Sequence, residues 1–173
     1  MKKITYIITI LSIITFGCDD AFELEDQDLR VKFLPGKYVA FNAPGANTAI
    51  DAEEADEDTD LDLNVEIPTG TLSDVTVNFS FSGTAVYGVD FTVAGATAAG
   101  GSITIEPLPG DDQTDVIDNA DISVSLLSDG NTDGPKTLTV TLTEASNTEG
   151  NILVGRGGTD LLKARTINIA DID

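Results

Sequence analysis

Histidine and tryptophan are absent from this 173-residue chain, and cysteine occurs once, at Cys18. Without an imidazole there is no Ser-His-Asp or Cys-His relay, and no histidine-ligated zinc or iron. One thiol cannot close an internal disulfide, and with Cys18 set aside only oxygen ligands remain. Oxygen donors select calcium or magnesium over softer metals. Positive charge is scarce too: nine Lys and Arg stand against 30 Asp and Glu, for a formal net charge of −21. That balance excludes the basic footprint needed for nucleic acid or an anionic lipid surface, and it makes a divalent cation the natural partner. Aromatic residues are only 6% of the chain. Beyond the N-terminal segment the tyrosines are Tyr38 and Tyr87, too few for an exposed carbohydrate-stacking platform. Tyr87, in the loop before Asp90, is the one aromatic placed to contact a ligand.

What is present begins with an export signal. Lys2 and Lys3 precede a mostly apolar run from Ile4 to Phe16, which is followed by Gly17 and Cys18. A positive start, an apolar middle and a small residue at the end have the order of a secretory signal peptide. The run is well short of the ~20 residues a bilayer-spanning helix needs. Thr15-Phe16-Gly17-Cys18 resembles a bacterial lipobox, with Thr15 where that motif usually has Leu. The resemblance implies cleavage after residue 17 and a lipid on Cys18. Losing two lysines with the signal takes the net charge from −21 to −23. Residues 18–36 show no sustained period and read as an acidic tether. Their Asp19-Asp20-Ala21-Phe22-Glu23 start is similar to the surface-export signals of Bacteroidetes lipoproteins, and equally to a plain solvated linker. The expected location is the cell envelope, as a surface-exposed outer-membrane lipoprotein.

From residue 37 to 173 the dominant pattern is alternation. Leu61, Leu63, Val65 and Ile67 alternate with polar residues, as do Val75, Val77, Phe79 and Phe81. The pattern recurs at Ile103 and Ile105, at Ile122, Val124 and Leu126, at Leu138, Val140 and Leu142, and at Ile167 and Ile169. A period of two over short runs, punctuated by Gly, Asp, Asn and Pro, marks half-buried antiparallel strands. Seven to eight such strands argue for an all-β, immunoglobulin-like sandwich with these side chains inside. Two acid-rich stretches, Asp51–Asp60 and Gly110–Asn119, read as solvated loops, because runs of like charge repel themselves. Gly155-Arg156-Gly157-Gly158 lacks the Lys-Ser/Thr of a phosphate loop and reads as a flexible hairpin.

Several segments together resemble the Calx-beta domain, a seven-stranded immunoglobulin-like sandwich. Val75–Ser80 followed by Gly88-Val89-Asp90-Phe91 is similar to that family's strand and its G-x-D-[YF] turn. Gly101–Gly110 looks like its G-x-[LV]-x-[FI]-x-x-G hairpin, and Asp129–Leu142 like its D-x-x-x-E-G-D-E-x-F-x-V-x-L segment. Ile167–Asp173 is close to its terminal [VI]-x-I-x-D-D-D. The resemblance implies calcium held at one end of the sandwich, with Glu54, Asp90, Asp129, Asp133, Asp171 and Asp173 as candidate ligands. The chain departs from the pattern at Asp133 and Lys136, where the family usually has Glu, at Pro135 where it has Asp, and at Ile172 inside the acidic triplet. A lysine there can fill the space of a cation by pairing with Asp129 or Asp133. The plainer reading is that these aspartates build turns, for which Asp is well suited.

No two carboxylates are marked as facing each other across a cleft, so nothing recommends glycoside hydrolysis or another enzymatic role. The sequence therefore reads as a lipid-anchored binding or structural module with calcium as its ion. A second reading, from a different class, is a metal-independent accessory lipoprotein of an outer-membrane nutrient-uptake complex. Its partner would be an envelope protein or a glycan.

Overall fold

The computed structural model describes residues 37–42, 50–108 and 117–172. All of them lie in the second of the two units into which the chain divides, Pro35–Asp173. Ten strands follow one another: β1 (Tyr38–Phe41), β2 (Glu53–Asp56), β3 (Asp60–Ile67), β4 (Val75–Gly83), β5 (Phe91–Val93), β6 (Gly101–Ile105), β7 (Asp118–Leu126), β8 (Lys136–Asn147), β9 (Gly150–Val154) and β10 (Ala164–Ala170). One sheet runs β1-β3-β7-β5, and the other runs β2-β10-β8-β4-β6. Strand β9 joins them, pairing antiparallel with β8 and parallel with β1. Among the described residues no helix is long and apolar enough to cross a membrane.

The alternation in sequence becomes the core because successive strand residues point to opposite faces. Leu63, Val65 and Ile67 of β3, with Ile122, Val124 and Leu126 of β7, present one inner face. Val75, Val77 and Phe79 of β4, Leu138, Val140 and Leu142 of β8, and Ile167 and Ile169 of β10 present the other. All of these join one continuous buried cluster, against which Leu61, Phe81 and Ile103 pack while only partly covered. On β8 the alternation shifts phase. Glu144 pairs with Asn78 and Leu142 with Phe79, which leaves Thr143 as an extra residue in a β-bulge. The bulge turns Ala145 inward three residues after Leu142, so the inner side of the long strand stays apolar from Leu138 to Ala145.

Among the described residues ten strands are formed where the alternation marks seven to eight. The clearest departure is β2, which lies inside the acidic stretch read as a loop. Its Glu53-Glu54-Ala55-Asp56 run has no apolar alternation, and it is a strand because it pairs in parallel with β10 at the sheet edge. An acidic edge strand also discourages pairing with a further chain. The second acidic stretch is corrected at its end: Asp118 and Asn119 open β7, and residues 110–116 lie outside the described set. Asp118 is 2% exposed, because its carboxylate accepts the backbone N–H of Thr71 (2.6 Å) and of Leu108 (3.0 Å). The glycine-rich segment after β9 is a short 3₁₀ element over Arg156–Gly158, kinked at Gly157 where φ is 63°, and tied by the Arg156 N–H to the Leu161 carbonyl.

Candidate carboxylate site at one end of the sandwich

Strand directions gather several connections at one end. There β2 ends and β3 begins, β4 ends and leads through residues 84–90 into β5, β7 ends and leads through residues 127–135 into β8, and β10 runs out at Asp171. The departure of the 84–90 loop is fixed by Gly83, whose φ of 117° is open to glycine but strained for other residues. A side chain there would run into the Thr137 carbonyl. That same carbonyl accepts the N–H groups of Thr84 and Ala85. The loop closes on itself as the Asp90 N–H reaches the Val86 carbonyl and the Gly88 N–H the Phe91 carbonyl. In turn the Asp90 carbonyl accepts the Leu127 N–H at 2.8 Å, which binds this loop to the start of the next.

On this frame Asp90, Asp129 and Asp133 each bring a carboxylate oxygen within 4.8 Å of the other two. Asp90 is 4% exposed, Asp129 is half-buried and Asp133 is exposed. One Asp90 oxygen accepts the Val86 N–H, which orients the carboxylate. Asp129 accepts the Asn131 N–H at 2.9 Å, a turn held by its own side chain. Asp171 reaches the same loop from the end of β10 and accepts the Gly134 N–H, next to Asp133. Lys136, the first residue of β8, directs its ammonium into the group, 2.6 Å from Asp133 Oδ2 and 4.0 Å from Asp90 Oδ1. The hydrogen bond with Asp133, aided by the charges of Asp90 and Asp129, holds the ammonium above its usual pKa.

Other residues singled out in the sequence lie elsewhere. Glu54 sits on β2 opposite Asn168 of β10 and accepts its amide at 2.7 Å, outside the carboxylate group. The β2–β10 register pairs Ala170 with Asp56, so Glu57, not Glu54, is the acidic residue level with Asp171. The Glu57 N–H reaches the Ala170 carbonyl, and its side chain is 5% exposed. No signal in the sequence distinguishes Glu57 among the seven carboxylates of residues 51–60, since the register of a parallel pairing is a tertiary property. Tyr87 is built into the loop. Its ring packs on Phe81 and Phe91, with centroids 5.9 and 5.5 Å away, and its hydroxyl donates to the Ala96 carbonyl at 2.9 Å. Cys18 and Asp173 lie outside the described residues.

Comparison with solved structures gives the architecture a reference. One described as the apo-form Calx CBD1 domain matches with a TM-score of 0.51 at 16% identity, covering 79% of this chain and 97% of that one. A second, CBD12 from CALX1.2, matches with a TM-score of 0.53 at 15% identity, covering 79% of this chain. This chain spans 44% of the length of that second one. At these identities the likeness establishes the fold. No family model matches the sequence. No curated protein matches it either.

Chemically, this end of the β-sandwich offers oxygen donors of like charge held close together. Asp90, Asp129, Asp133 and Asp171 bring four negative charges and Lys136 one positive charge. Even at the high effective dielectric of a protein surface, carboxylates a few ångströms apart repel by a few kcal/mol, so a further cation is favoured there. The donor set fits a hard divalent ion: calcium takes six to eight oxygens from carboxylates, carbonyls and water. It does not fit soft or imidazole-seeking metals, for which the chain has no histidine and a single cysteine.

Proposed function

We propose that this chain is a lipid-anchored cell-envelope module whose β-sandwich binds calcium at the loop end through Asp90, Asp129 and Asp133. Asp171 steadies the 127–135 loop behind them. The observation that carries the reading is the convergence of three carboxylates from two separate loops within 4.8 Å, one of them on a buried residue. The motif resemblance placed these same aspartates in a calcium site, and the Calx-like fold supports it. The role is binding rather than catalysis: calcium joins the loops and fixes the surface that this end presents outside the cell. Millimolar extracellular calcium fills even a weak site. Anchoring rests on the lipobox-like Thr15–Cys18 segment.

The test is a thermal melt of the protein in millimolar calcium and then in excess chelator. A ligand at ~100 times its dissociation constant adds about 2.7 kcal/mol, which moves the midpoint of a domain this long by roughly 5 to 10 °C. Asp90→Asn and Asp129→Asn should each shrink that shift. No shift with calcium overturns the ion reading. For the anchor, detergent phase partitioning of the expressed protein should be lost in Cys18→Ser, and an unchanged partition removes the lipid from the account.

A further inference from the structure

Among the described residues three strands stand at open sheet edges: β2 and β6 on one sheet and β5 on the other. An open edge offers a row of N–H and C=O groups to any extended chain, and proteins commonly guard it with charge or keep it short. Strand β2 carries three carboxylates in four residues. Strand β5 is three residues long and is already bridged at Phe91 by Tyr87. Strand β6 has neither guard. Its Gly101-Ser102-Ile103-Thr104-Ile105 run holds no charge and no proline, and three of the five residues are β-branched. Antiparallel pairing bonds alternate residues of β6 to β4, and the residues between turn their backbone groups to the free side. The side chains end as abruptly. Ile103 pairs with the fully buried Val77 and packs on the same core, yet it stays partly exposed, because no described strand lies beyond it. Ser102 and Thr104 are exposed and neutral, so nothing on that face repels an incoming strand.

Charge decides what fits there. The Val75–Ile105 pair puts its flanking residues, Asp74 and Glu106, at one end of the edge, and both are exposed. Among the described residues neither joins an ion pair. Like charges side by side on a sheet destabilise it, and a cationic side chain brought alongside relieves them. A second copy of this chain would instead carry another −21 to the joint. We infer that the free edge of β6 takes up an extended, lysine- or arginine-bearing segment of another polypeptide, which joins the sheet as a further strand. Backbone bonds along Ser102–Ile105 give the affinity, an apolar side chain covers Ile103, and Asp74 with Glu106 selects the basic flank. This end of the sandwich, where β4 begins, lies away from the carboxylate group, so the inference is independent of calcium.

The test uses the full chain and a synthetic peptide of alternating threonine and valine with lysines at both ends. A matched peptide with glutamates at the ends is the control. At saturation the lysine peptide should slow exchange of the outward-facing β6 amides about tenfold or more, and shift the Ile103 methyl NMR signals, with the far edge at β2 unchanged. The glutamate peptide should do neither. Asp74→Asn combined with Glu106→Gln should weaken the lysine peptide about fivefold at low salt, a difference that shrinks in 1 M salt. Thr104→Lys puts a guarding charge on an exposed position; it should weaken the peptide severalfold while leaving the melting midpoint in place. No slowing at β6, equal binding of the two peptides, or a Thr104→Lys variant that binds like the wild type would each overturn the inference. Sedimentation showing that the protein dimerises by itself, and that Thr104→Lys makes it monomeric, would give the edge to a second copy and overturn it too.

Discussion

Asp118 is expected to be the most sensitive polar position in the fold. It is 2% exposed at the start of β7, and its two carboxylate oxygens hold separate segments: Oδ2 accepts the Thr71 N–H and Oδ1 the Leu108 N–H. Replacing Asp118 with Ala removes the acceptor of both bonds, one of them from the buried Thr71. A hydrogen bond to a charged group contributes about 1.5–3 kcal/mol, so the variant, which loses two, should lose about 3–6 kcal/mol. At roughly 3 °C per kcal/mol for a domain of this size, the midpoint should fall by about 9–18 °C. Asp118→Asn separates the two bonds. Its amide oxygen can keep one N–H, but its NH₂ must face the other, so it should fall between the wild type and the Ala variant. Circular dichroism melts and urea titrations read both variants, with an unchanged m-value confirming that the effect lies in stability. Asp118 is at the far end of β7 from Leu126 and the carboxylate group, so calcium affinity should be unaffected. An Asp118→Ala midpoint within 3 °C of the wild type would refute the reasoning, as would an Asn variant no less stable than the wild type.

Leu142→Ala removes a fully buried side chain beside the β8 bulge and should cost about 2–5 kcal/mol in urea unfolding. Gly83→Ala forces a side chain against the Thr137 carbonyl at φ 117°; it should cost about 1–3 kcal/mol and also weaken calcium binding, because it disturbs the start of the loop that carries Asp90. Burial raises the Glu66 carboxyl above its ordinary 4.5, partly offset by the Arg156 charge. A raised acid favours the folded state while protonated, so its contribution is present below 4.5 and is lost as pH climbs through the raised value. Glu66→Gln should therefore match the wild type below that window and be the more stable above it, read from melts between pH 3 and 8.

The inner faces of β3, β4, β7, β8 and β10 were legible because each buries every second residue, and that period survives in the sequence. Strand β2 was not. Glu53, Glu54 and Asp56 form a strand only through the edge that β10 offers, and local composition carries no trace of that pairing. The same register explains the site. Asp90, Asp129 and Asp133 follow turn motifs at strand ends, where sequence position and spatial position coincide. Glu54 was drawn from a run of acids whose alignment to β10 is set by the assembled sheet, and it rests on Asn168. Lys136 stood out from the start as a charge of the wrong sign at a ligand position, and the structure joins it to Asp133 and Asp90. Asp118 illustrates the opposite failure. In sequence it is one more acid in a solvated loop, and in the fold it is a buried acceptor for two backbone donors.

The most direct measurement is a crystal structure of the protein grown with millimolar calcium. The account expects an ion 2.3–2.6 Å from oxygens of Asp90, Asp129 and Asp133. Density with no ion beside those three carboxylates would contradict it.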